Sequence, residues 1–219
     1  MRQIIYVKYN RTRSEKFQLK TAIVRENGAL SVEKTALTEA GAGHMGSFWE
    51  KYQMIREQNP RIRFLEPEFK DGGKTVCFRY LEGETLADAL ADRIHMGQIP
   101  YEELEQVMAL VFPEDFSVDS GHFSIKEQTG GPFAPSQGFT EVFGPVPEGL
   151  EELGRLTAAP NVDGLFENLM ISDGHVYGID YEWVFDMEIP AKFLHYRNLL
   201  YFYRRCEASV SSAQEELFA

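Results

Sequence analysis

Alternation of apolar and polar positions marks the first third of the chain as β-sheet interrupted by one helix. Residues 4–9 form a short β-rich run, Ile-Ile-Tyr-Val-Lys-Tyr. Residues 17–25 set Phe17, Leu19, Thr21 and Ile23 against Gln18, Lys20, Ala22 and Val24, the two-residue period of a strand. Asn27-Gly28 follows, a dipeptide favoured where a tight hairpin needs two positive φ angles, so 29–37 is predicted as the returning strand. Thr38 and Glu39 open a helical stretch with Phe48, Trp49, Tyr52 and Ile55 at helical spacing, and Asn59-Pro60 stops it. Residues 61–69 and 74–81 predict another strand pair, joined by Asp71-Gly72-Gly73. The expected order is β-β-β-α-β-β, a five-stranded antiparallel sheet with one helix.

Beyond Leu81-Glu82-Gly83 the pattern turns helical. Thr85 is a suitable N-cap for a helix through Ala91, and 101–112 predicts a second helix. The stretch 113–147 is rich in Gly, Pro, Ser and Phe and yields no assignment. A short helix is expected over 150–157. Residues 168–171 and 176–179 flank Ser172-Asp173-Gly174 as a compact hairpin, and 191–205 is a strongly aromatic helix. The fold class is α+β, with a sheet-rich part at 1–81 and a mainly helical part at 82–219.

Composition narrows the partners. The 219 residues are 43% hydrophobic and 26% charged, ordinary for a folded chain. A net charge of −12 disfavours nucleic acid, which needs a basic face, and suits a cationic or neutral small molecule. With only Cys77 and Cys206, neither a disulfide framework nor a zinc site is supported, and the five histidines show no metal-ligand spacing. No apolar run approaches the roughly 18–20 residues of a membrane-spanning helix, and the first residues do not open a signal peptide, so a cytoplasmic protein is expected. A P-loop and a dinucleotide fingerprint are both absent, and Gly130-Gly131-Pro132 reads as a loop bend.

The chemically informative stretch is Asn161-Val162-Asp163-Gly164-Leu165-Phe166-Glu167-Asn168, followed after the hairpin by Ile179-Asp180-Tyr181-Glu182. Hairpin geometry brings Asn168 and Asp180 to the same end of two strands. Two hard oxygen ligands there could hold a magnesium ion that also binds nucleotide phosphates. Asp163 could accept or orient the proton of an attacking hydroxyl.

These positions resemble the protein-kinase-like superfamily, most closely its small-molecule members such as aminoglycoside phosphotransferases and choline kinases. A weaker likeness is to kinase-like domains attached to bacterial surface-polysaccharide glycosyltransferases. The resemblance implies a two-lobed fold, ATP and Mg2+ as cofactors, Asp163 as the catalytic residue, and Asn168 and Asp180 as metal ligands. It further implies that Lys34 grips nucleotide phosphates, with Glu50, or alternatively Glu39, as its helix partner. Residues 78–86 would form the hinge between the lobes, and the acceptor would be a hydroxyl of a sugar or amino-alcohol. Two departures stand out. Asn161-Val162 replaces the family's usual His-containing pair, and the loop Tyr9-Asn10-Arg11-Thr12-Arg13-Ser14 contains no glycine. Both favour an alternative in which the domain keeps the fold for binding or scaffolding and has lost the reaction.

Overall fold

In the computed structural model, which describes residues 1–126, 133–146, 155–158 and 160–207, Asn27 and Gly28 turn the chain at φ 50° and 86°. They join strand β2 (Leu19–Glu26) to β3 (Ala29–Ala36) in an unbroken antiparallel register from Glu26↔Ala29 to Leu19↔Ala36. Strand β1 (Arg2–Tyr9) flanks β2. The helical stretch after β3 comes in two pieces, α1 (Ala42–Gly46) and α2 (Phe48–Gln58). The break falls at Ser47, whose hydroxyl donates 2.8 Å to the carbonyl of His44, a local bond that competes with helix propagation.

The predicted strand 61–69 is likewise two short pieces, β4 (Arg63–Phe64) and β5 (Glu68–Lys70). Pro67 between them has no N–H to offer a ladder. With β6 (Thr75–Arg79), β5 completes a five-stranded antiparallel sheet in the order β1-β2-β3-β6-β5, of which β4 is not a member. Leu19, Ala22, Val24, Met45, Phe48 and Val76 are almost fully buried in this part.

The chain divides into two compact units, Met1–Arg56 with Phe64–Glu82, and Glu57–Arg63 with Gly83–Ala219. The second opens on β7 (Glu84–Thr85) and α3 (Leu86–His95). Thr85 caps α3, its hydroxyl accepting from the Asp88 amide at 3.0 Å. Leu86, Ala87, Leu90, Ala91 and Ile94 are buried at helical spacing along it. Helix α4 (Tyr101–Val111) follows.

Within 113–147, the described residues contain a hairpin of β8 (Phe116–Asp119) and β9 (His122–Ile125) and a short helix α5 (Gln137–Phe143). Of the helix expected over 150–157, residues 150–154 lie outside the described residues. Leu156–Thr157 form a strand, β10, because the main chain ahead of the last helix offers it a ladder. Strands β11 (Leu169–Ser172) and β12 (His175–Gly178) form the hairpin predicted around Ser172-Asp173-Gly174. The partner of β10 is β13 (Ile189–Pro190), which leads into α6 (Ala191–Cys206). Among the described residues no helix is long and apolar enough to cross a membrane.

Candidate active site

The β11–β12 hairpin pairs Leu169 with Gly178, and beyond that pair the Ile179 amide still donates to the Asn168 carbonyl at 3.0 Å. Asn168 therefore enters one strand where Asp180 leaves the other. Ahead of Asn168 the loop is short and tightly wound. The Gly164 amide bonds the Asn161 carbonyl at 3.0 Å, the Asn168 amide bonds Leu165 at 2.8 Å, and Phe166 is 1% exposed.

Side-chain bonds tie loop and hairpin together. Asn168 Nδ2 donates to the Asp163 carbonyl at 2.9 Å, which fixes the amide's orientation and leaves Oδ1 as the end that can serve a cation. Asn161 accepts from the Asp163 amide at 3.2 Å and donates through Nδ2 to the Asp180 carbonyl at 3.0 Å. Asn161 is thus a structural bridge between the loop and the segment that follows the hairpin. Asp180 Oδ1 accepts from the Glu182 amide at 3.1 Å.

Helix α6 holds the loop from behind. Arg197 donates from Nη2 to Asp163 Oδ1 at 2.8 Å and from Nε to the Val162 carbonyl at 2.9 Å, with its guanidinium 4.6 Å from the Tyr201 ring centroid. Asn198, 4% exposed, accepts from the Phe166 amide at 3.0 Å and donates to the Gly164 and Leu194 carbonyls. Neither residue stands out in the sequence. They sit among other polar residues of the helix, such as Lys192 and His195, so the sequence offers no signal that singles them out.

Burial pushes the Asp163 carboxyl above its ordinary range; the negative charges of Asp180 and Glu182 add to the rise, and the bond from Arg197 opposes it. Asp163, Asp180 and Glu182 therefore concentrate negative charge in a partly buried place, which a cation would relieve. Among the described residues no group of three or more His, Cys, Asp or Glu could hold a metal by itself. An oxygen-only set of one carboxylate and one amide fits magnesium, which commonly keeps waters and phosphate oxygens as its remaining ligands.

The same helix is anchored by a second charged cluster. Asp115, with 0% exposure, receives Arg155 Nε at 2.7 Å and Nη2 at 2.6 Å, and its Oδ2 lies 3.0 Å from His195 Nε2. The His195 ring packs against Phe112 and Phe116 at centroid distances of 4.5 and 4.8 Å. Burial works to raise the Asp115 carboxyl, but the bonds and charges of Arg155 and His195 outweigh it and hold it at about 2.

In the other unit, Lys34 lies on β3 opposite Thr21 and Val76. It is 6% exposed, with its ammonium 5.9 Å from the Phe48 ring centroid on α2. Glu50 is exposed on α2, and Glu39 is exposed ahead of α1. The loop between β1 and β2 is fastened by Gln18, whose amide donates to the Arg11 and Arg13 carbonyls at 3.2 and 2.9 Å.

No family model matches the chain, and no curated protein does. Among solved structures it is similar to a macrolide 2'-phosphotransferase, MphH from Brachybacterium faecium, at 12% identity and a TM-score of 0.39, over 97% of this chain and 74% of that one. It is also similar to the aminoglycoside phosphotransferase APH(4)-Ia, at 13% identity and a TM-score of 0.41, over 99% and 83% of the two chains. A type I macrolide 2'-phosphotransferase matches at 10% identity and a TM-score of 0.42, over 96% and 76%. Likeness at this level leaves the chemistry of the site to be argued from its own residues.

Proposed function

We propose that the protein is an ATP- and Mg2+-dependent phosphotransferase acting on a hydroxyl of a small molecule, a sugar or amino-alcohol. The observation that carries this reading is the Asp163 carboxylate, clamped by Arg197 on a wound loop whose Asn168 amide is oriented by the same residue. When bound, Mg-ATP supplies the phosphoryl group and the counter-charge for its transfer. Asn168 and Asp180 would hold the metal. Asp163 would accept or orient the proton of the acceptor hydroxyl, and Arg197 would keep its carboxylate in place. Lys34 is assigned the nucleotide phosphates, with Glu50 as its partner and Glu39 as the alternative. Such a site works by placement and charge neutralisation, with no covalent step on the protein.

The Asp163→Asn variant tests the assignment. It should lose turnover against a panel of hydroxyl acceptors while binding nucleotide as the wild type does. Equal turnover in the variant would remove Asp163 from the chemistry.

A second reading is a domain that binds nucleotide without transferring phosphate. The glycine-free β1–β2 loop, pinned by Gln18, favours it. Nucleotide binding with no acceptor phosphorylation by the wild type would establish that reading.

A further inference from the structure

The two edges of the five-stranded sheet are built differently. Strand β5 is three residues long and follows Pro67, both features that discourage further pairing. Strand β1 is eight residues long, contains no proline, and is exposed along its whole length. Ile4, Ile5, Tyr6, Val7 and Tyr9 are 40–51% exposed on it, and among the described residues its one ladder is with β2. A register shift between Ile4 and Tyr6 bends the strand and leaves Tyr6–Tyr9 as a regular stretch against β2.

Charge distinguishes this edge from the rest of the chain. In a protein of net charge −12, the first fourteen residues carry Arg2, Lys8, Arg11 and Arg13 and no acid; Arg2 is paired with Glu33 at 2.5 Å, so Lys8 and Arg11 are the cations that matter at this edge. The Arg11 guanidinium lies 4.9 Å from the Tyr9 ring centroid, so a cation sits beside the apolar strand.

We infer that β1 is a docking edge for an extended acidic segment of a partner protein, with acidic and apolar residues alternating, added as a sixth strand. A strand would satisfy the outward N–H and C=O groups of β1, cover its apolar side chains, and meet the basic residues with carboxylates. A second copy of β1 would bring a basic edge against another basic edge. A lipid surface would accept the apolar and basic side chains but would leave the strand's main-chain groups without protein partners.

The probe is a fluorescent eight-residue peptide of alternating Glu and Val, titrated at low salt and followed by anisotropy, with a Lys-Val peptide as its counterpart. The Glu-Val peptide should bind the wild type at least about tenfold more tightly than the Lys-Val peptide. The double variant Lys8→Glu/Arg11→Glu should reverse that order. Both positions are exposed, and an unchanged melting curve would show that the variant is folded. Binding of neither peptide at millimolar concentration, or equal binding of both, would overturn the inference. So would binding to phosphatidylserine vesicles in the absence of peptide binding, or a dimer in solution that Tyr6→Lys dissociates.

Discussion

Replacing Arg155 by methionine strips the fully buried Asp115 carboxylate of its two guanidinium bonds and leaves it facing the His195 imidazole. A carboxyl held at about 2, when that of an unfolded chain sits near ~3.9, represents roughly 2–3 kcal/mol of folding free energy. Breaking a buried pair from one side costs about 3–5 kcal/mol in other proteins, and the partial exposure of Arg155 places this one at the lower end. With about 3 kcal/mol lost, a chain of this size should melt roughly 6–12 °C lower. The assay is thermal unfolding by circular dichroism from pH 7 to pH 2. Because the folded carboxyl is depressed, its contribution is complete above the unfolded value near ~4 and disappears as pH falls through about 2. The gap between wild type and Arg155→Met should therefore be full at neutral pH and close in acid. The double variant Asp115→Asn/Arg155→Met, which removes both charges, should recover part of the loss. A drop of less than about 2 °C at pH 7, or a gap unchanged down to pH 2, would refute the role given to the cluster.

Gly83 adopts φ 157°, and an added Cβ would lie 2.0 Å from the Ile171 carbonyl oxygen, so Gly83→Ala should cost about 2–4 kcal/mol, read as a lower denaturant midpoint with an unchanged m-value. Asn161→Ala removes the bridge between the Asp163 amide and the Asp180 carbonyl and should reduce turnover, whereas Asn161→His, which restores an N–H donor, should recover part of it; equal turnover in all three proteins would remove the bridge from the account. Since the folded protein disfavours ionised Asp163, its neutral isostere Asp163→Asn should melt no lower than the wild type at pH 7; a marked drop would mean that the Arg197 bond outweighs burial and the neighbouring acids.

The sheet was the most legible part of the sequence because its turns carry their own chemistry. Asn27-Gly28 fixes a hairpin through positive φ whatever surrounds it, and the alternation in 17–25 sets the strand on one side. The strand predicted over 61–69 divides around Pro67, which cannot donate to a ladder however apolar its neighbours are. The β8–β9 hairpin was missed although Ser120-Gly121, at φ 52° and 80°, is a turn of the same kind; Gly, Pro and Phe crowd the surrounding segment and hide its period. Strands β10 and β13 exist through each other, and two-residue ladders leave no period to read.

At the candidate site, spacing along the chain pointed to Asp163, Asn168 and Asp180, since a hairpin converts sequence separation into proximity. What spacing could not convey was the support. Arg197 and Asn198 reach the loop from a helix more than thirty residues away, and Asp115 meets Arg155 and His195 through tertiary packing alone. Nor could it show that Asn161, first read as a loss, is hydrogen-bonded at both ends of its amide.

The central claim is that Asp180, with Asn168, holds the metal of a nucleotide complex. Its most direct test is thermal unfolding of the wild type and of Asp180→Ala, with ATP in the presence of magnesium or of EDTA. Nucleotide at ten times its dissociation constant should add about 1.4 kcal/mol, raising Tm by roughly 3–5 °C. The account predicts that rise for the wild type with magnesium, and its loss both in EDTA and in the variant. No rise in the wild type at millimolar Mg-ATP, or an undiminished one in Asp180→Ala, would contradict it.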